Sequence, residues 1–221
     1  MWFAVYCREY TRISAGRNPG VSVMDHPLQC RCGTLKGYVS QSATVNRCVC
    51  YCGDCQAFAH FLGRPGEILD AQGGTDVVQT RPANVTFTQG REALACMRLS
   101  PKGLLRWYAA CCNTPIGNTL SNYRVSFVGL VHSCLEGTGA SLDDSFGPVR
   151  AWVNTKSAKG EVKSGSAGMI SVILPFIAMV ARPRIDGSYK RTPFFSADTG
   201  APVVTPKVLS RSERETLMSA V

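Results

Sequence analysis

The stretch Arg47-Cys-Val-Cys-Tyr-Cys-Gly-Asp-Cys-Gln56 constrains this chain more than any other, because it places four cysteines within eight residues, at Cys48, Cys50, Cys52 and Cys55. Cysteines this close do not easily pair with one another. In an extended run alternate side chains share a face, which groups Cys48, Cys50 and Cys52. Gly53-Asp54 then supplies a turn that brings Cys55 back towards the same point. Sulfurs converging this way suit a soft tetrahedral cation, with Zn²⁺ as the default.

Two further cysteine sites follow the same logic. Cys30-Arg-Cys32-Gly33 reads as a metal knuckle, in which the glycine frees the backbone to turn under the sulfurs. A predicted strand ends at Cys111 and Cys112, with Asn113 and Pro115 turning the chain. They are the natural partners to close the Cys30/Cys32 knuckle as a structural staple, although adjacent cysteines point in different directions and both need not reach one metal. Cys50, Cys52 and Cys55 give three ligands from one segment. Three thiolates leave a fourth position for water or substrate, as expected of a reactive zinc. Cys48, His60 and solvent are the alternatives for that position. Cys96 and Cys134 read as core thiols. Two zinc ions per chain are expected.

Composition sets the frame. The chain has 221 residues, of which 45% are hydrophobic and 18% charged, an ordinary globular balance. Eleven cysteines invite a disulfide scaffold, but the count is odd and the spacing is of the metal type. Met1 to Cys7 is too short for a signal core, and Ala167 to Ala181 contains Pro175 and is shorter than a membrane span. A reducing, cytoplasmic setting is expected, with no membrane partner. The net charge of +9 is scattered from Arg8 to Arg214, so a nucleic-acid partner is not expected. No Ser/His/Asp arrangement, phosphate-binding loop or zinc-protease motif is present.

Periodicity predicts strands at 35–39, 43–50, 75–80, 85–88, 92–99, 124–132 and 149–155, with a further strand ending at Cys111. It predicts a short helix over 56–62, an apolar helix over 169–182 kinked or broken at Pro175, and a C-terminal helix over 212–220 opened by Ser210 and Glu213. The organisation expected is a poorly structured arm at 1–23, with Met24 as an alternative start, a zinc-binding β-domain at 24–142, and an extension at 143–221 packed on it.

The order Cys-x-Cys-Gly, then Cys-x-Cys-x-x-Cys, then Cys-Asn-Thr-Pro-Ile resembles the glutathione-dependent formaldehyde-activating enzyme family, also called centromere-protein-V-like, over residues 28–131. The resemblance implies a mainly β fold like that of Mss4, with a few short helices and a mixed C-terminal extension. It implies a structural zinc on Cys30, Cys32 and Cys112, and a catalytic zinc on Cys50, Cys52 and Cys55. The family's late Cys-x-x-Cys is altered here. Ala109 stands at its first position, so that either Cys111 substitutes or the site has three thiolates. The implied activity is that of a carbon–sulfur lyase acting on thiol–aldehyde adducts such as a glutathione conjugate. Arg47, Arg64 and Arg106 are candidates to meet its carboxylates, against the plainer reading of surface charge. The alternative function is a zinc-stabilised protein-binding module.

Overall fold

The computed structural model describes residues 25–40, 46–137, 139, 141–162 and 169–221. The N-terminal arm, Met24, residues 43–45 of the second predicted strand and residues 163–168 of the Lys/Ser/Gly-rich stretch lie outside the described residues.

Among the described residues, eleven strands form two sheets. In the smaller, β1 (Asp25–Gln29), β2 (Lys36–Ser40) and β5 (Val85–Gln89) run in the order β1-β2-β5, all antiparallel. The larger holds β3 (Asn46–Cys50), β4 (Thr75–Thr80), β6 (Leu94–Arg98), β7 (Leu105–Ala109), β8 (Thr114–Thr119), β9 (Val128–Val131), β10 (Ala151–Val153) and β11 (Lys207–Val208). Its order is β10-β3-β4-β9-β8-β7-β6-β11. The interior pairs are antiparallel, whereas β10 and β11 join the two edges in parallel. The helices are α1 (Gly53–Phe61), α2 (Pro65–Ile68), α3 (Leu142–Phe146), α4 (Met169–Asp186) and α5 (Arg211–Met218).

The alternation along β7 shows how the layers arise. Leu105, Trp107 and Ala109 enter the main core with Leu28, Leu35, Val39 and Val85 of the small sheet, and with Phe194 and Phe195. Trp107 is fully buried, donates its indole N–H to Thr119 at 2.9 Å, and packs against Phe194 with ring centres 5.2 Å apart. Arg106 and Tyr108 point to the opposite face, where α1 lies. Ala57, Phe58 and Leu62 of that helix pack with Met97, Leu99 and Leu209. Both faces of the large sheet are therefore covered, one by strands and one by helix.

This arrangement corrects the expectation of a mainly β, Mss4-like domain. The fold is mixed α/β, with about as many described residues in helices as in strands. The largest contribution is α4. Pro175 does not end it, and the helix runs on to Asp186. The missing donor of a proline removes one hydrogen bond, which a helix of this length tolerates. The short α2 and α3 add to the same shift. Each is one turn or little more, below the length at which periodicity can be read. At α3 the Ser141 side chain accepts the Asp144 N–H, a cap that opens the helix. No described helix is long and apolar enough to cross a membrane.

Candidate metal centres

All ten described cysteines are free, and seven of them gather into two clusters. The first contains Cys30, Cys32, Cys111 and Cys112, with all four sulfurs within 4.8 Å of one another. The Sγ–Sγ separations are 3.5 Å for Cys30–Cys32, 3.7 Å for Cys30–Cys111, 3.3 Å for Cys32–Cys111 and 3.8 Å for Cys111–Cys112. Four thiolates at ~2.3 Å from one tetrahedral cation stand about 3.8 Å apart, so the cluster has the dimensions of a closed four-sulfur site.

Two turns build it. After β1 the chain folds over at Gly33, whose φ of +75° is left-handed. Its N–H bonds the Cys30 carbonyl at 2.9 Å, and the Leu35 N–H points at the Cys30 sulfur at 3.2 Å. Between β7 and β8 Asn113 takes the same role with a φ of +53°. Cys111 and Cys112 therefore both turn inward, although adjacent residues in a strand would diverge. The Thr114 hydroxyl lies 3.1 Å from Cys112 Sγ and accepts the Arg31 N–H at 3.0 Å, joining the two turns. The Thr34 hydroxyl at 3.2 Å leads the effects that hold the Cys32 thiol down to about 6. Burial, followed by hydrogen bonding to Cys32, pushes Cys111 up to about 12.

The second cluster contains Cys50, Cys52 and Cys55. Cys50 ends β3, and Cys52 caps α1 in an extended conformation. The Cys55 N–H bonds the Cys52 carbonyl at 3.0 Å, so the first helical turn carries the third sulfur back to the first two. Cys50 and Cys52 are 3.4 Å apart. Hydrogen bonds from Cys52 and then Cys55 hold the Cys50 thiol down to about 2, with help from Asn154. Asn154 follows β10, which lies parallel to β3 with Val153 opposite Cys50, and its Nδ2 donates to Cys50 Sγ at 3.4 Å. The other two thiols move up. Hydrogen bonding to Cys50 is the first cause for both. Charge thus settles on Cys50 at the N-terminus of a nine-residue helix, where exposed N–H groups favour an anion.

No further Cys, His, Asp or Glu joins this group among the described residues. Cys48 is buried with Val77 and Ala151, accepts from Gln79 Nε2 at 3.4 Å, and is pushed up to about 12 by burial. It is a packed thiol rather than a fourth ligand. His60 lies one and a half turns further along α1 and outside both clusters. Cys96 and Cys134 are core thiols.

The three arginines divide. Arg47 is a structural cation, bonded through Nη2 to Asp76 at 2.7 Å and through Nη1 to Asp143 and the Gly147 carbonyl. Arg64 is paired with Glu67. Both are paired with protein carboxylates. Arg106, which is 1% exposed, points at the second cluster, with Nη1 3.9 Å from Cys55 Sγ. Asn154 was not legible as a site residue, because only the parallel pairing of β10 with β3 returns it to Cys50.

Two clefts lie near these centres. One of about 360 Å³ adjoins Cys30 and is lined by Arg31, Arg64, Glu67, Thr114, Ser133 and Glu136. The other, of about 430 Å³, is lined by Arg211, Arg214, Glu215 and Met218 of α5. The packing of Met218 against Gly53 places α5 beside the second cluster.

The fold and its cysteines define a mixed α/β protein with two candidate metal centres. The chain belongs to the family of unknown function DUF6151, whose model matches residues 22–205. No curated protein matches it. A Rhodobacter sphaeroides protein, a structural-genomics crystal structure, is similar at 21% identity, covering 57% of this chain and 98% of that one, with a TM-score of 0.37.

Proposed function

We propose that the chain is a two-zinc protein in which Cys30, Cys32, Cys111 and Cys112 hold a structural ion and Cys50, Cys52 and Cys55 an ion open to ligand exchange. The observation that carries this reading is the difference in donor count, four described cysteines against three. On this reading the second centre serves carbon–sulfur lyase chemistry on thiol–aldehyde adducts of the glutathione type. A zinc bound there would hold a thiol as its thiolate. The chain's own part is to position that centre. Asn154 donates to Cys50, the first turn of α1 orients Cys52 and Cys55, and the half-buried setting limits water.

The competing reading, a zinc-stabilised protein-binding module, draws on the place of the 360 Å³ cleft beside the four-cysteine cluster rather than the three-cysteine one. Its guanidinium groups are internally paired, since Arg31 and Arg64 both reach Glu67, which leaves the cleft less available to an anionic ligand.

The test is metal content by plasma mass spectrometry, followed by cobalt substitution and addition of glutathione, alone and with formaldehyde. Two metals per chain, one lost in Cys52→Ser and the other in Cys112→Ser, are expected. Glutathione should shift the visible cobalt bands of the Cys52-dependent centre only. Bands that ignore every thiol would sink the open-centre reading and leave the module.

A further inference from the structure

A cation as deeply buried as Arg106 needs a counter-charge, because desolvation of a guanidinium is costly unless an anion faces it. Its side chain is 2% exposed. Its carboxylate partner, Asp54, stands 3.8 Å away, is 40% exposed, and is shared with Arg214 of α5, also at 3.8 Å. Asn118 Oδ1, directly across the β7–β8 ladder, accepts at 3.2 Å but is neutral. The guanidinium carbon sits 5.3 Å from the Phe58 ring centre, three residues after Cys55 on α1. Asp54 alone leaves Arg106 under-neutralised. Among the described residues, the remaining group in reach is Cys55, whose sulfur is 3.9 Å from Nη1.

We propose that Arg106 is a positioning residue for the three-cysteine centre, a fixed counter-cation built to neutralise the net negative charge of three thiolates around a divalent metal. Three thiolates and one M²⁺ make a complex of net charge −1, any protons still on the thiols being released to solvent. The loaded centre therefore holds one net negative charge beside a cation already in place. The stacking on Phe58 and the bond to Asn118 hold the guanidinium still, so little reorganisation is needed at loading. Among the described residues, the four-cysteine cluster has no such buried cation. Arg31, between its first two cysteines, is turned out to Glu67, with both side chains about 60% exposed. The inference rests on the second centre being a metal site, not on its chemistry.

The experiment is competition for zinc and cobalt against a chelator of known affinity, using the full chain, with Cys52→Ser to identify the signal of the three-cysteine centre. Arg106→Met should weaken metal there by about 10- to 100-fold, the usual cost of losing an outer-shell partner, and leave the four-cysteine centre unchanged. Arg106→Lys, which keeps the charge, should stay within severalfold of wild type. Asp54→Asn removes the competing carboxylate at an exposed position and should tighten binding. It also keeps the question answerable if Arg106→Met does not fold. Equal losses in Arg106→Met and Arg106→Lys, wild-type affinity in Arg106→Met, or a tenfold weakening in Asp54→Asn would each overturn the inference. A wild-type protein whose metal count ignores Cys52→Ser would overturn the metal reading of the centre and this inference with it. An intact count with flat Arg106 and Asp54 results would overturn this inference alone.

Discussion

The two cysteine clusters differ in what they join. The four-cysteine cluster links residues about 80 positions apart, tying the β1–β2 turn of the small sheet to the β7–β8 turn of the large one. The three-cysteine cluster is local. All its sulfurs come from the strand-to-helix turn between β3 and α1, and only outer partners, Asn154 and Arg106, arrive from elsewhere. A long-range cluster replaces loop-closure entropy and belongs to the stability of the fold. A local cluster adds little closure, and on the proposed reading its worth lies in what it binds. The surroundings agree. The first is framed by hydroxyls and backbone N–H groups, the second by a helix N-terminus, a buried cation and a side-chain amide.

The sharpest way to break this comparison is to remove one cysteine from each cluster. Cys112→Ser should cost several kcal/mol, because the metal's binding free energy is coupled to folding. At about 2–4 °C per kcal/mol for a chain of this size, the thermal midpoint should fall by about 10 °C or more. Cys52→Ser should move it far less. Scanning calorimetry on both variants decides, and equal losses would mean that both centres staple the fold.

The cysteine pattern carried most of this site, whereas the fold was less legible. The sets Cys30/Cys32/Cys111/Cys112 and Cys50/Cys52/Cys55 could be grouped from spacing, because a metal demands convergence and convergence leaves close repeats. The capping box was equally readable. Ser210 accepts from Glu213 N–H, the Glu213 carboxylate accepts from Ser210 N–H, and α5 begins at the next residue. Three features were not readable. Pro175 read as a kink or a break, and the break does not occur, because helix continuity depends on neighbours that a local rule does not see. Cys48 has the same pleat parity as Cys50, but lies one repeat back, ~7 Å, under Val77 and Ala151. Asn154 and β11 reach their places through parallel edge pairings, which no local pattern announces.

The next effect concerns the scaffold under the local cluster. Arg47 on β3 has a side chain only 9% exposed and bridges Asp76 of β4 to Asp143 of α3. Removing one partner of a buried pair leaves the other charge stranded, at a cost of about 3–5 kcal/mol. Asp143 is largely exposed, so the stranded charge is Asp76. Arg47→Ala should therefore lower the urea midpoint markedly and loosen metal at Cys50, while the four-cysteine centre keeps its affinity. Loss at both centres would show that β3 supports the whole sheet rather than one site.

Asn154 offers a finer cut. Its φ of +55° is left-handed, so glycine keeps the turn while removing the donor to Cys50. Asn154→Gly should weaken metal at the three-cysteine centre by about tenfold and change stability little. Asn113 shares the left-handed conformation, but among the described residues its side chain donates to no sulfur. Asn113→Gly should leave metal affinity at the four-cysteine centre unchanged. Chelator competition on this matched pair separates a turn that only shapes a centre from one that also donates to it.

The smallest effect is a pH dependence on the side of the long-range cluster. His26 of β1, four residues before Cys30, is fully buried against the Phe146 ring, with centres 4.7 Å apart. Its Nε2–H donates to the Leu135 carbonyl at 3.0 Å, which leaves Nδ1 to accept from the Ser145 hydroxyl at 2.8 Å. That is the neutral tautomer, and burial holds its pKa below the ordinary value of 6.5. A base with a depressed folded pKa binds more protons when unfolded, so stability rises with pH through that window. The contribution is present in full above about pH 6.5 and declines as pH falls from there towards the folded value. His26→Gln, which cannot charge, should start less stable at pH 7.5 and show a smaller loss between pH 7 and 5.5. Cysteine protonation acts on both proteins alike, so the difference between their urea midpoints isolates the histidine. A constant difference across that range would mean that His26 titrates alike in the folded and unfolded chains, and that its hydrogen bonds do not fix its charge.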